Sequence, residues 1–546
     1  MHVTRLAGGP ARRFVSEIAR AANGGPARRL NGEMGFTIIF AVVLLLAQPT
    51  PANAETSGAS EWAHLGPDGK LVYGTTPRGD RIMDFSFAGY MAGGVALPAV
   101  PAVETVKPSD SDAAAEIQKA IDAVSQLPLQ NGFRGAVELG PGTYLCGNTI
   151  TLRADGVVLR GSGAEKTILS ATGKPHLCLS IEGEAELKKQ GKPIPVVDEY
   201  VPSGSNVIHL LDASSLKVGD AIVVNHPVTT QWIHFMGMDA LERNGKNEKW
   251  LTPTTVLQSQ LHVSAIDGNK VTLDIPLTDD LDSKFTTPPG ASIQKADVVG
   301  QVTQIGIEDL GILAPKEVIK LGEASFGGIQ MRGAADSWVR NVSIDNTIGA
   351  VGIGAGCARI AVQGVKIHHD VSVTSSAKPA DFAIDGTQVF IDRCNGDGNN
   401  VFYLATMARV IGPSVILNCN FKGNGAIQPH MRWATGLLID NCQCPEGGID
   451  LMNRGIMGSG HGWTIGWSVA WNCEGRTFLI QQPPGSANWA IGCRGKMETA
   501  ATPGGSKEIL PAGIVDSPDH PVAPHSLYLQ QLEDRLGIAA VHNIGY

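Results

Sequence analysis

The sequence predicts an all-β protein: a right-handed, single-stranded parallel β-helix with an N-terminal capping helix, a β-rich insertion and a C-terminal helix. Three observations predict it. A four-residue motif, apolar–x–x–Cys, recurs as Ile391-Asp392-Arg393-Cys394, Ile416-Leu417-Asn418-Cys419, Ile439-Asp440-Asn441-Cys442, Ala470-Trp471-Asn472-Cys473 and Ala490-Ile491-Gly492-Cys493. Upstream, Val365, Val342 and Leu310 fill the cysteine slot, so the pattern runs through eight units. The steps between the cysteines, 25, 23, 31 and 20 residues, are the period of a solenoid, whose units bury their apolar faces only by stacking on one another. The units are rich in Val, Ile, Asn and Gly and lack helical periodicity, so each reads as a coil of short strands and turns.

Stacked coils lie about 4.8 Å apart, so equivalent residues form a column. Cys, Val and Leu share one column, which suits an inward slot for small hydrophobes. Asn precedes that slot at Asn341, Asn418, Asn441 and Asn472. Asn tolerates the left-handed backbone and marks a repeated turn, with its amide free to bond along the stack. Nine cysteines in an exported chain would ordinarily mean disulfides. Here the count is odd and five cysteines point the same way from one column, where bridging would strain the strands. Buried free thiols are expected, and Cys442 with Cys444 lacks the second pair a zinc site needs.

Residues 1–54 read as a signal peptide. An arm with six arginines precedes an apolar run over 36–47, too short to span a bilayer, and Ala52-Asn53-Ala54 forms the cleavage site. The arm is long, which makes Met34 an alternative start to Met1. Periplasmic or secreted localisation follows, with no stable membrane span after cleavage. The formal charge of −9 becomes more acidic without that arm, which argues against nucleic acid and anionic membranes as partners. Aromatic residues are 5 % and glycines number 66, as a turn-rich solenoid requires.

Residues 55–108 read as an extended segment. A helix is predicted over 111–127, capped by Ser111, with Ile117, Ile121 and Val124 on one face to close the open end of the stack. The first coils follow at Gly135 and Gly156. The helix sequence Ile117-Gln118-Lys119-Ala120-Ile121-Asp122, then Pro141-Gly142-Thr143-Tyr144, then Gly156 to Gly163 (GVVLRGSG) resembles the N-terminal part of exported pectin-lyase-fold proteins. That group includes pectate and pectin lyases, polygalacturonases and phage tailspikes. The resemblance covers residues 113–170 well and 300–495 in general style. It implies the parallel β-helix, and it implies polysaccharide as the class of partner without choosing among lyase, hydrolase and binder.

The remaining divisions are the cap and first coils (109–204), an inserted β-rich lobe (205–300) carrying Trp232, His234 and Trp250, the regular coils (301–500), and a tail (501–546). In the tail Leu529, Leu532 and Leu536 share a helical face that Gly537 ends. That helix is expected on the C-terminal side of the stack.

Chemistry-bearing residues concentrate in the longer loops between coils, where a rigid stack builds sites. Uronate β-elimination needs donors for the carboxylate, a base for the C5 proton and an acid for the leaving oxygen. Arg432 and Arg454 suit the carboxylate, His430 or His461 the base, and Tyr403 the acid. Trp433, Trp463 and Trp489 are candidates for stacking on sugar rings, and Asn453, Gln481, Gln482 and Asn488 for binding hydroxyls. Inverting hydrolysis is the alternative, with Asp385 and Asp397 as acid and base. Gly460-His461-Gly462 is similar to the Gly-His-Gly element of polygalacturonases. The paired Asp-Asp and the basic Arg-Ile-Lys element of that family are missing, however, and His461 lies 64 residues after Asp397. A non-catalytic carbohydrate-binding solenoid is the third reading. No cofactor motif is found. Calcium assists several lyases of the fold this chain resembles, and Asp370, Asp381 and Asp397 could supply oxygens to Ca²⁺, although no loop spacing defines a site. The expected protein is a monomeric, exported enzyme acting on an acidic polysaccharide, by elimination in preference to hydrolysis.

Overall fold

A computed structural model describes residues 58–546 except 110, 321, 371, 374–377 and 506. The signal peptide and its cleavage site lie outside the described residues. The repeating motif does what its spacing requires. Ile307, Val339, Val362, Ile391, Ile416, Ile439, Ala470 and Ala490 are direct partners in consecutive parallel strands. The chain is a right-handed parallel β-helix.

Each coil contributes to three columns of strands. The first runs from Ala102–Val106 and Gly135–Leu139 through Ala434–Asp440 to Ile514–Asp516. The second includes Lys366–His368, Asn395–Asp397 and Asn420–Lys422. The third includes Gly327–Arg332, Ala380–Ile384, Phe402–Thr406 and Ala426–Ile427. From Gln443–Leu451 onward, second and third columns merge into single long strands.

The turn between the first and second columns falls on the third residue of the motif. Asp309, Asn341, Gly364, Arg393, Asn418, Asn441, Asn472 and Gly492 all have φ between 49° and 65°, the left-handed region that Asn, Asp and Gly tolerate best. Asn341 donates to Asp309 at 3.1 Å and Asn441 to Asn418 at 2.5 Å, so the amides do bond along the stack. All nine cysteines are buried and unbonded to one another. Each column thiol donates to the carbonyl of the apolar residue that opens the motif one coil earlier: Cys394 to Val362, Cys419 to Ile391, Cys442 to Ile416, Cys473 to Ile439 and Cys493 to Ala470, at 3.2–3.9 Å. Each also lies 3.3–3.5 Å from the carbonyl two residues before it, so the slot is apolar on its sides and offers two weak acceptors, which suits a thiol.

Three boundaries differ from expectation. The capping helix is Ala114–Ser125, with Ala113 rather than Ser111 at its N-cap position, and Asp112 just before it accepts from the Ala114 N–H at 3.0 Å. Residues 55–108 are not simply an extended leader, because Ala102–Val106 is the first strand of the first column. The lobe begins at Glu186, well before 205: Glu186–Pro195 pairs antiparallel with Ser292–Val299 at one edge of a six-stranded sheet. That strand is exposed and lysine-rich and lacks alternation, so its pattern did not announce it.

The C-terminal helix, Leu527–Leu536, lies on the flank of the stack and not at its end. Its buried face is Leu527, Tyr528, Gln531 and Leu532, while Leu536 is exposed. The outward residues of the first column are themselves apolar there: Val415, Leu417, Leu438, Val469, Trp471, Trp489 and Ile491. The helix and the N-terminal segment cover them together, which removes that surface from water. Tyr528 stacks on Phe390 at 4.8 Å, and Asp440 accepts from Ser526 Oγ and the Tyr528 N–H at 2.7 and 2.8 Å.

Candidate functional site

The lobe sits against the corner where third-column strands turn into the first column. Tryptophans join the two. Trp232 and Trp250 from the lobe stack at 5.1 Å, and both meet Trp433 of the corner edge-on at 5.6 and 6.0 Å. Trp433 Nε1 donates to Asp279 at 2.8 Å, Trp250 Nε1 to the Trp463 carbonyl at 2.9 Å, and Trp463 Nε1 to the Met236 carbonyl at 3.1 Å.

This corrects the expectation of sugar-stacking platforms. Trp433, Trp463 and Trp489 are each 2 % exposed or less, so no ring face is open to a ligand. Trp489 belongs to the flank cluster, against Trp62 and Trp467. The aromatic payload stabilises the lobe–stack junction instead. Tyr403 is corrected too: fully buried, it donates to the Gly423 carbonyl at 2.5 Å and accepts from the Gly425 N–H. Asn453, Gln481 and Asn488 are buried and satisfied by backbone. Asn453 accepts from Gly455, Gln481 links Asn453 and Ala500, and Asn488 links Ser468, Ile465 and Gln481. They hold turns. Gln482 is half-buried, and its backbone N–H donates to Pro511.

The His and Arg candidates, by contrast, converge. His430 and Arg432 follow the strand Ala426–Ile427, and Arg454 follows Gln443–Leu451 one coil later. The chain then loops out and returns with His461, whose carbonyl accepts from the Arg432 N–H at 2.9 Å. The His430 and His461 rings meet edge to face at 4.5 Å. Gly458, at φ 59°, makes this return possible, because a Cβ there would come within 2.0 Å of His461 Nε2. Arg454 donates to the His430 carbonyl at 3.1 Å and lies over the Phe402 ring at 5.7 Å. Arg432 donates to the Ser459 carbonyl and hydroxyl at 2.6 and 2.9 Å. Arg432 Nε, Arg454 Nε and His461 Nδ1 are buried without a protein partner.

Burial and two cations set the electrostatics. Burial first, then Arg454 and Arg432, pulls His430 down to about 4. His461 falls to about 3, again chiefly by burial, with His430 and the arginines adding to it. Both imidazoles are therefore neutral near pH 7 and able to accept a proton. Asp450 lies near Arg454, its carboxyl raised by burial and accepting from Gln428 Nε2 at 2.6 Å. Phe402 and Asp450 complete this rim. The sequence carried no special signal for Phe402, which stands at the third-column position where other coils place Ala380 and Ala426.

The two aspartates proposed for hydrolysis are not brought together. Asp397 ends a second-column strand, exposed beside His368 at 3.6 Å. Asp385 follows a third-column strand, at the opposite edge of that column. A five-residue strand such as Phe402–Thr406 separates those edges, about 16 Å at about 3.3 Å per residue, well beyond the carboxyl spacing of an inverting pair. The calcium trio does not converge either. Asp370 pairs with Lys316, and Asp381 is fully buried against His369 Nε2 at 2.6 Å. Among the described residues no group of three His, Cys, Asp or Glu side chains is placed to share a metal ion. No helix among them is long and apolar enough to cross a membrane.

No family model matches the chain, and no curated protein matches its sequence. Among solved structures it is similar to the tailspike gp49 from Pseudomonas phage LKA1, at 15 % identity over 71 % of this chain and 57 % of that one, with a TM-score of 0.40. It is similar to an alginate lyase from Paenibacillus, at 10 % identity over 77 % of this chain and 100 % of that one, TM-score 0.37. It is also similar to a mutant tailspike of E. coli bacteriophage HK620 in complex with a pentasaccharide, at 11 % identity over 72 % of this chain and 55 % of that one, TM-score 0.36. These likenesses are of fold. The chemistry of the site rests on its own side chains.

Proposed function

We propose that this chain cleaves a uronate-containing polysaccharide by β-elimination at the His430–Arg432–Arg454–His461 cluster. One observation carries the reading: two imidazoles in contact, both kept neutral, stand beside two guanidiniums that make no ion pair among the described residues, Asp450 acting on Arg454 only at longer range. Guanidinium groups take a carboxylate by paired charge-assisted hydrogen bonds. Neutralising that carboxylate makes the adjacent C5 proton acidic. A neutral imidazole accepts it, and His430, the more open of the two, is the base.

The elimination then closes on itself. The C5–H electron pair forms the C4–C5 double bond, the C4–O4 bond breaks, and the leaving oxygen takes up a proton. Tyr403 is unable to supply it. An imidazolium pressed between two arginines is a strong acid, so the proton that His430 accepts is the one it returns to O4. Export, supported by the apolar run before Ala54, would bring the enzyme to such polymers.

The test is a screen of the mature protein on polyuronides and neutral glycans, following absorbance of unsaturated uronate ends alongside total reducing ends. Both rising together supports the lyase. Reducing ends without absorbance, or glycan binding without cleavage, overturns it in favour of a hydrolase or a binding solenoid.

A further inference from the structure

Asp336, Arg359 and Gln388 stand at equivalent points of three successive coils, since Ala335 pairs with Ala358 and Ala358 with Thr387. Each has a left-handed backbone, at φ 47°, 56° and 53°. Arg and Gln gain nothing from that region, and such positions gather where a side chain has to be aimed. Opposite this polar rank stands one face of the lobe sheet. Ala221 pairs with His262 and Val223 with Gln260, so the four share that face. Between the two walls lies a cavity of about 580 Å³, the size of a small-ligand site. Gln260 and His262 are exposed, so it is open to water.

Each wall pairs its own charges. Arg359 donates twice to Asp336, at 2.7 and 2.8 Å, and His262 Nδ1 lies 3.0 Å from Asp274. The Asp274 bond raises His262, and Arg359 on the far wall lowers it, so the two pairs face each other within electrostatic reach. Arg535 and Asp297, the other charges of the lining, are bonded to Ser86 and Gln190. No cation there is left over for an anionic ligand. Each paired carboxylate still has lone pairs for hydroxyl donors, and the Gln260 amide, with no side-chain hydrogen bond among the described residues, offers a donor and an acceptor. Phe87, Ala296 and Val298 add apolar patches. Hydroxyl partners set around apolar patches fit an uncharged pyranose, whose ring carries hydroxyls at its edge and C–H groups on its faces.

We propose that the cleft between lobe and stack binds an uncharged hexose segment of a glycan, at a site separate from the His430–Arg454 cluster. The two sites share no residue, and this one stands whether or not the cluster eliminates uronates. A polymer with both neutral and acidic sugars would engage both.

The experiment measures calorimetric binding of tetrasaccharides of glucose, mannose and galactose, with tetragalacturonate as the charged control, to wild type, Gln260→Ala, Gln260→Trp and Arg454→Ala. Gln260 is exposed and its side chain is not bonded within the described protein, and thermal unfolding checks that each variant folds. The expected result is binding of at least one uncharged tetrasaccharide, about tenfold weaker in Gln260→Ala. In Gln260→Trp, whose ring fills the cavity, binding should be lost, and in Arg454→Ala it should match wild type. No binding of any uncharged tetrasaccharide to wild type overturns the site. So does wild-type affinity in both Gln260 variants, and binding lost in Arg454→Ala but kept in both Gln260 variants moves the sugar to the His430–Arg454 cluster. Displacement of the bound tetrasaccharide by tetragalacturonate in Arg454→Ala overturns the preference for uncharged sugar.

Discussion

His430 and His461 meet edge to face with ring centroids 4.5 Å apart, across one coil boundary and beside two arginines. Desolvation and like charge both act against protonating either ring, so each is neutral at neutral pH.

The pH dependence follows from that. A neutral base is lost on protonation, so kcat/KM on a polyuronide should stay flat from neutral pH downward and fall only as pH drops through about 4. An acidic limb centred near 6.5, the ordinary histidine value, would show that the base lies elsewhere. His430→Gln should reduce kcat by about 10²-fold or more while leaving the thermal midpoint nearly unchanged, because its ring makes no protein hydrogen bond among the described residues.

Arg454→Ala removes the guanidinium proposed to hold the carboxylate and a bond to the His430 carbonyl. Turnover of polyuronide should be lost, and Arg454→Lys should recover only part of it, since an ammonium is unable to grip a carboxylate through two donors. Wild-type rates in Arg432→Ala and Arg454→Ala together would remove these residues from the site.

Trp433→Ala should act on stability. The ring is 1 % exposed, packs on Trp232 and Trp250 and donates to Asp279. A loss of about 3–5 kcal/mol is expected from denaturant unfolding. Weakened sugar binding at an unchanged midpoint would restore the ring to a binding role.

Asp440 is fully buried and raised to about 7 by desolvation, with Ser526 and the helix N-terminus offsetting only part of that. A carboxyl raised in the folded state binds its proton more tightly there than when unfolded. Its ionisation therefore destabilises the fold above about pH 7, and the fold regains that stability as pH falls from 7 toward about 4. Asp440→Asn should flatten that part of the stability–pH curve. A variant curve parallel to wild type would mean that Asp440 does not titrate in this window.

Reducing agent should leave the thermal midpoint unchanged, since the nine thiols are unbonded to one another. Cys442→Val should cost under about 1.5 kcal/mol, because Val342 and Val365 already occupy the same slot in other coils. A fall in midpoint under reductant would reveal a disulfide.

Spacing alone determined the architecture. A four-residue motif that places an inward apolar residue, an outward residue, a left-handed turn and an inward small hydrophobe repeats through eight coils, and each part is local backbone or side-chain chemistry. His430, Arg432, Arg454 and His461 were legible for the same reason, as residues at equivalent points of neighbouring coils are carried into contact by the stack. Burial was decided only by the tertiary structure. Trp433, Trp463, Trp489 and Tyr403 read as ligand-facing, yet the lobe closes over Trp433 and Trp463, the flank cluster covers Trp489, and Tyr403 points into the stack from the strand Phe402–Thr406. Asp385 and Asp397 are twelve residues apart in sequence but on opposite edges of a strand column. Whether a loop residue faces water or a covering segment depends on contacts between distant parts of the chain, and no local pattern encodes those.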